Sequence, residues 1–232
     1  MKRLILILTM LGFAFPVGAM AELEIRMEQQ EENGQELIVF SAAQTQAEET
    51  TPAPEETPDA ALLMANGLIE SRFEQAKAAQ LTQRAGAEIA QRGEIYTAGN
   101  VASLVLHWNG TQSDGTAGSA VRGLVLDRTT GEEIRLEQLF DDADAAFDAM
   151  ETIIADDVLS QLSDYMEYGE LLPMPRDGYA IDAYGLTVFY PDDSYRYFDE
   201  QSGAVQFAWY ELADYIGENS PVYALAHAQS DI

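Results

Sequence analysis

The segment from Val121 to Phe140 constrains the fold more than any other part of the sequence, because it combines a strand, a tight turn and a helix entry. Its apolar residues first follow the alternation of a pleated strand. Gly131 closes the turn and supplies the positive φ that a short hairpin connection needs. A return strand carrying Ile134 and Leu136 then leads to Leu139-Phe140, which we expect to close over the sheet edge. This segment predicts a fold but no chemistry.

Two helices and several further strands are predicted around this hairpin. The first helix begins at Thr57-Pro58-Asp59, where a capping hydroxyl precedes a proline at the first helical position, and it ends by Gly93. The second begins near Asp142, carries a regular apolar stripe and ends near Gly169. Strands are predicted over 94–98, 101–108, 179–182, 186–190 and 205–209, and a short helix over 210–215. The predicted fold is α+β, with an antiparallel sheet and the two main helices packed on one of its faces.

Residues 1–21 have the pattern of a secretion signal. Lys2 and Arg3 precede an apolar run from Leu4 to Phe15, and Ala19-Met20-Ala21 fits the small-x-small cleavage pattern. The run is short for a membrane span, and no later stretch is apolar enough to be one. We expect an extracellular or cell-envelope protein without a stable membrane span after cleavage; an uncleaved anchor is the alternative.

The sequence contains no cysteine. A disulfide therefore cannot stabilise the exported fold, which must be held together by its apolar core. The absence also excludes a bacterial lipoprotein anchor and a cysteine nucleophile.

The remainder of the chain divides by composition into four parts. Residues 22–42 predict a short β-hairpin around Asn33-Gly34, and residues 43–57 predict a disordered acidic linker. Residues 58–216 form the predicted main domain, followed by a tail over 217–232 in which Val222–Leu225 is a candidate edge strand. The hairpin is either tethered beside the main domain or adds strands to it, and the sequence leaves both arrangements open.

The charge balance is strongly acidic, with 40 acidic and 12 basic residues and a net charge of −28. Removal of Lys2 and Arg3 with the signal takes two positive charges away and leaves −30. Such a field repels nucleic acid and anionic lipid. It favours a cationic partner or simply solubility.

No catalytic, metal or cofactor site is predicted. The four aspartates within Asp141–Asp148 lack the ligand spacing of a calcium loop and fit the N-terminus of a helix, where negative charge is favoured. His107 and His227 are the only histidines, too few for a clustered zinc site. Nucleotide-binding and hydrolase motifs are absent. We therefore expect a protein that is not an enzyme.

A series of motifs follows in a fixed order between Glu94 and Tyr215. They are Asp127, Thr130-Gly131, Ile134, Leu136, Leu139-Phe140, a long helix, the strand Gly185–Tyr190, the tyrosine loop Tyr195–Gly203 and the segment Val205–Leu212. This order resembles the RsiV-like extracellular domain family, which occurs in a lysozyme-sensing anti-sigma factor and in some polysaccharide deacetylases. Two features depart from the family pattern. Gly115–Ser119 lacks the usual histidine, and Arg196-Tyr197-Phe198 replaces a proline.

The aromatic, acidic stretch from Tyr190 to Glu200 is the candidate binding surface, because tyrosine combines a large contact area with a polar tip. The candidate ligand-binding residues are Tyr190, Asp192, Asp193, Tyr195, Tyr197 and Phe198. The same aromatics have an alternative role as a cover for the core edge. With the resemblance, these features suggest an exported binding domain for a cationic extracellular protein such as a lysozyme. The alternative is a structural or accessory envelope protein without a ligand of its own.

Overall fold

The computed structural model describes residues 22–32, 35–44, 60–83, 89–111, 117–161, 173–190 and 204–228. Its elements are β1 (Leu23–Glu32), β2 (Gln35–Gln44), α1 (Ala60–Gln83), β3 (Ile89–Ala98), β4 (Val101–Thr111), β5 (Ala117–Asp127), α2 (Ala143–Gln161), β6 (Ala180–Ile181), β7 (Gly185–Phe189), β8 (Ala204–Ala208), α3 (Trp209–Leu212) and α4 (Tyr223–His227). All paired strands among these residues are antiparallel, and the predicted α+β class is confirmed.

The central element is the sheet β3-β4-β5, which is buried on both faces. Along β4, the side chains of Ala102, Leu104, Leu106 and Trp108 lie in one apolar cluster. Val101 of the same strand and Val125 of β5 lie in the other cluster. Successive strand residues point to opposite faces, so the sheet separates two apolar cores.

The β1-β2 ribbon and α1 together cover the first face. The ribbon is a separate two-stranded sheet, and its Met27 and Phe40 side chains lie so close to Gly93 of β3 that a Cβ there would meet them at 2.6 and 2.9 Å. Asn66 of α1 accepts a hydrogen bond from the Ala42 amide at 2.9 Å and donates one to the Ala42 carbonyl at 3.1 Å. The ribbon therefore packs on the central sheet without joining its hydrogen-bond ladder.

The second face is covered by the sheet β6-β7-β8 with α2, α3 and α4, whose buried side chains share one cluster with Val125. The two sheets meet where the Gly123 amide donates to the Gly178 carbonyl at 3.1 Å. A Cβ on Gly123 would lie 2.2 Å from the Tyr179 carbonyl oxygen, so only glycine permits this approach. Beside it, the Ile181 amide donates to the Ser103 hydroxyl at 2.9 Å.

The placement of the helices differs from the expected single face. Ala65, Ile69 and Phe73 of α1 lie in the core under the ribbon, whereas Phe147 and Ile154 of α2 lie in the core on the other side of the central sheet. The apolar stripe of a helix shows that one side is buried but does not show which sheet face it covers. Two cores rather than one therefore hold this fold together.

The predicted hairpin turn is confirmed, but its return strand is short. Asp127 Oδ1 accepts the Thr129 amide at 2.7 Å, and Gly131 has φ +72°. A Cβ at Gly131 would lie 2.0 Å from the Ala61 carbonyl oxygen, because the turn packs directly against α1. After the Ile134 amide pairs with the Val125 carbonyl at 2.9 Å, the chain turns into a 3₁₀ helix, Leu136–Leu139.

Several predicted boundaries need correction. β3 begins at Ile89, so the first helix cannot reach Gly93, and β2 continues to Gln44, which takes two residues from the predicted linker. β4 continues beyond the predicted strand end at Trp108 as far as Thr111, which pairs with Ala117 of β5. Where Val222–Leu225 was a candidate edge strand, the chain forms α4. Residues 1–21, 45–59 and 162–172 lie outside the described residues. The predicted signal, most of the predicted linker and the predicted end of the second helix fall in these three ranges, in that order.

The aspartates before α2 act as expected at a helix N-terminus. Asp142 Oδ1 accepts the Ala145 amide at 3.1 Å, and the Asp142 carbonyl accepts the Ala146 amide at 3.0 Å. Asp142 is therefore the N-cap of α2. Neither α1 nor α2, the long helices among the described residues, is apolar enough to cross a membrane.

Candidate functional site

The predicted binding loop connects two paired strands. β7 and β8 form an antiparallel hairpin in which Phe189 lies opposite Ala204, so both ends of the loop are anchored in the sheet. Asp192, Asp193, Tyr195, Tyr197 and Phe198 lie outside the described residues, and their role as ligand contacts stays a prediction.

Tyr190, the first residue of the predicted site, is described and is buried. Its side chain is 4% exposed and lies in the core with residues of α2 and α3. Burial, and secondarily the negative charge of Glu151, raises the pKa of Tyr190 to about 12. Since almost none of this ring is accessible, Tyr190 is suited to anchoring the loop rather than to contacting a partner.

The opposite end of the β7-β8 hairpin carries two exposed tyrosines. Tyr184 is 72% exposed and Tyr210 is 70% exposed. Both side chains project from backbone that is held by hydrogen bonds. Gly185 pairs with Ala208, and the Trp209 amide donates to the Tyr184 carbonyl at 3.1 Å, which brings the two tyrosine-bearing segments together. We call Tyr184 and Tyr210 the tyrosine pair.

Asp182 organises the turn that carries Tyr184. Its Oδ1 accepts the amides of Tyr184 at 2.7 Å and Gly185 at 2.9 Å, and its Oδ2 accepts the Gln206 side-chain amide at 3.2 Å. The Trp209 indole donates to the Asp182 carbonyl at 3.0 Å. The sequence predicts a turn at Ala183-Tyr184-Gly185, but the position of Tyr210 beside it depends on strand register. The aromatic residue at the tip of the predicted turn is the one feature of the sequence that indicates an exposed surface here.

Near this turn, Tyr96 of β3 is partly buried. Burial, and secondarily the charge of Asp182, raises its pKa above the usual value. Its hydroxyl therefore stays protonated at neutral pH and is a hydrogen-bond donor rather than a base.

The two histidines are in separate environments. His107 Nε2 lies 3.6 Å from Glu94 Oε1. Burial lowers the pKa of His107; the negative charge of Glu94 opposes this decrease, and the positive charge of Arg92 adds to it. His227 packs its ring on Tyr223 with centroids 4.1 Å apart, and its Nδ1 lies 3.0 Å from the Tyr223 carbonyl. Within the described ranges, no group of three or more histidine or acidic side chains has the arrangement of a metal site.

Comparison with known proteins shows similarity at the level of fold. No family model and no curated protein matches the sequence. A crystal structure of a DUF3298 family member from Bacteroides fragilis NCTC 9343 aligns with TM-score 0.52 and 12% identity over 90% of this chain and 99% of that chain. A DUF3298 family protein from Pseudomonas aeruginosa PAO1 aligns with TM-score 0.52 and 11% identity over 87% and 98%.

These neighbours share the fold with this protein, and at such identities they show nothing further. The resemblance to the RsiV-like family in particular stays a prediction. The similarity covers 90% and 87% of this chain, which is more than the stretch from Glu94 to Tyr215 alone.

Proposed function

We propose that this protein is an exported, non-enzymatic binding domain that recognises a cationic extracellular protein, with a lysozyme as the first candidate. The acidic excess is the observation that carries the proposal. The RsiV-like resemblance supplies the candidate partner.

The arrangement of the arginines supports this proposal. Five described arginines each pair with a nearby carboxylate, namely Arg26 with Glu24, Arg72 with Glu133, Arg92 with Glu94, Arg128 with Glu22 and Arg135 with Glu137. These pairs neutralise equal numbers of both charges and leave the acidic excess unchanged. A field of one sign accelerates encounter with a basic protein.

The β7-β8 loop would then supply the lasting contacts. Its ends are fixed by strand pairing and by the buried Tyr190, so the intervening residues begin from a rigid base. Tyrosine side chains such as Tyr195 and Tyr197 contribute contact area at low entropic cost, and Asp192 and Asp193 complement a basic surface. Charge provides the rate of encounter, and the aromatic contacts provide the residence time.

Titration calorimetry separates these two contributions. The full chain without residues 1–21 is titrated with lysozyme and with a basic protein of unrelated fold, at 0.1 M and 1 M salt. The Debye length falls from about 10 Å to about 3 Å between these conditions, so attraction by charge alone is largely lost. We expect lysozyme binding to persist at 1 M salt and binding of the unrelated protein to vanish.

The loop is tested with the double variant Tyr195→Ala, Tyr197→Ala. Its matched control is Leu63→Ala, Met64→Ala, which removes two exposed apolar side chains from α1. We expect the loop variant to lose the salt-resistant binding and the control to keep it. Equal binding of both basic proteins, lost for both at high salt, would reduce the proposal to nonspecific attraction. An absence of binding would favour the accessory-protein alternative.

Export is tested by expressing the precursor in a bacterial host and weighing the released product by mass spectrometry. We expect a chain that begins at Glu22, as the Ala19-Met20-Ala21 pattern predicts. Recovery only in membranes, with Met1 retained, would instead identify an uncleaved anchor.

A further inference from the structure

We propose that the tyrosine pair, flanked by Asp182, Glu211 and Asp214, is a second docking surface, which binds arginine and lysine side chains on a cationic protein. This inference rests on the proposed function for the nature of the partner. It assigns the contact to a different part of the molecule, which the sequence did not indicate.

The first argument is exposure. Tyr184 and Tyr210 are more exposed than any other large apolar or aromatic side chain that the structure describes. The remaining members of that group, Leu63 and Met64, lie on α1. Side chains this exposed contribute little to the packing of the core. Exposed tyrosines on a rigid backbone are typical of protein contact surfaces.

The second argument is rigidity. Six hydrogen bonds hold the turn. Asp182 Oδ1 accepts two backbone amides, Asp182 Oδ2 accepts the Gln206 side-chain amide, and the Asp182 amide donates to the Gly185 carbonyl. The Trp209 amide donates to the Tyr184 carbonyl, and the Trp209 indole donates to the Asp182 carbonyl. The Ala208 amide donates to Glu211 Oε2 at 2.8 Å, which fixes the start of α3 and with it Tyr210. Trp209 itself is fully buried. The backbone that carries the tyrosine pair therefore needs little ordering when a partner binds.

The third argument is charge. Asp182 and Glu211 are partly exposed and Asp214 is exposed, and among the described residues none of them forms an ion pair with an arginine. A guanidinium or ammonium group attracted by these carboxylates can stack on a tyrosine face, which is the geometry of a cation–π contact. Anionic and nucleic-acid partners are disfavoured by the same charges. The chemistry of the surface thus selects a basic protein.

The tyrosine pair is separate from the points at which the predicted loop joins the sheet. Tyr184 and Tyr210 lie next to the paired Gly185 and Ala208, whereas the loop is attached at Phe189 and Ala204. The five residues of each strand span about 13 Å at the rise of an extended strand. Changes at one end therefore leave the residues at the other end in place, and the two surfaces can be tested independently.

The test uses a fluorescent hexa-arginine peptide, whose binding to the chain without residues 1–21 is measured by anisotropy at 0.1 M salt. The variant Tyr184→Ser, Tyr210→Ser is compared with Leu63→Ser, Met64→Ser as the matched control. Loss of two exposed cation–π contacts predicts affinity about 5- to 30-fold weaker for the tyrosine variant. The control should stay within about twofold of the parent, and Tyr184→Phe, Tyr210→Phe should retain binding because the ring faces remain.

Amide chemical shifts on peptide addition give a readout that needs no variant. We expect the largest changes at Tyr184, Gly185 and Tyr210. Equal affinity of the tyrosine variant and the parent, equal losses in the tyrosine variant and the control, or shifts confined to other residues would each overturn the inference.

Lysozyme titrations with the same variants distinguish this inference from the proposed function. A parent protein that binds hexa-arginine through the tyrosine pair but fails to bind lysozyme would refute the lysozyme proposal and leave the surface in place. Salt-resistant lysozyme binding, together with hexa-arginine binding unaffected by the tyrosine changes, would support the proposed function and refute the surface.

Discussion

Removal of the Ser103 hydroxyl tests how the two large sheets are joined. Ser103 is 2% exposed, and it is the only buried serine, threonine, amide or charged residue among the described side chains. Its hydroxyl accepts the Ile181 amide at 2.9 Å, which holds β6 against β4. In Ser103→Ala, that amide has no acceptor in a site closed to water.

The cost follows from the burial of the lost acceptor. A buried donor left without a partner destabilises a protein by about 1–3 kcal/mol. For a chain of this size, about 2 kcal/mol corresponds to a fall of about 4–8 °C in Tm. The matched control Thr97→Val removes a hydroxyl from an exposed position of β3 and should change stability by less than about 0.5 kcal/mol.

Equilibrium denaturation with urea measures the free energy of unfolding, and amide hydrogen exchange reports on Ile181 directly. We expect Ser103→Ala to lower both the unfolding free energy and the protection of the Ile181 amide. An unfolding free energy within about 0.5 kcal/mol of the parent, with unchanged protection of Ile181, would refute this account of the junction.

Three further outcomes follow from the structure. Ile154→Asp places a charge in the core beneath α2 and should cost about 3–5 kcal/mol in urea denaturation, and a variant as stable as the parent would mean that this helix face is wrong. Because burial lowers the pKa of His107, an NMR titration should give a pKa below 6.5 for its imidazole, and the pKa should fall further in Glu94→Gln. The contribution of neutral His107 to stability is present above pH 6.5 and is lost as the pH falls through the folded-state pKa. Tyr190→Ala should destabilise the whole domain by about 3–5 kcal/mol, and loss of partner binding without loss of Tm would contradict its anchoring role.

Local patterns predicted the elements of the fold that depend on neighbouring residues. The stripe through Phe147, Met150 and Ile154 is buried, and the Asp142 cap and the positive φ of Gly131 are present. Each depends on contacts within a few positions, which periodicity and turn chemistry describe well.

The long-range arrangement could not be obtained in this way. Ala117–Ser119 consists of small residues typical of a loop, yet it continues β5 because β4 provides a ladder of partners. Val222 and Ala226 are buried four positions apart, which suits a helix face, but too few periodic residues surround them to indicate α4. The sidedness of α1 and α2 depends on chain connections that periodicity does not contain.

The candidate site divides along the same lines. Composition drew attention to the tyrosine-rich loop, but the burial of Tyr190 is caused by helices distant in sequence. Tyr184 and Tyr210 are 26 positions apart (210 minus 184) and come together through the pairing of Gly185 with Ala208. A surface formed by strand register leaves no local signal beyond an aromatic residue in a turn.

The attachment of the β1-β2 ribbon has a consequence for the order of folding. Its backbone is held by the Gln91 side chain, which accepts the Ile38 amide 53 positions away, and by Arg128, which donates to the Leu23 carbonyl 105 positions away. The ribbon is thus synthesised long before the groups that fix it, and contacts at such separation form late in folding. Until β4 and β5 emerge, Leu23 and Phe40 lack most of the side chains of their core, and the nascent ribbon is an unprotected strand pair available to chaperones or to other chains.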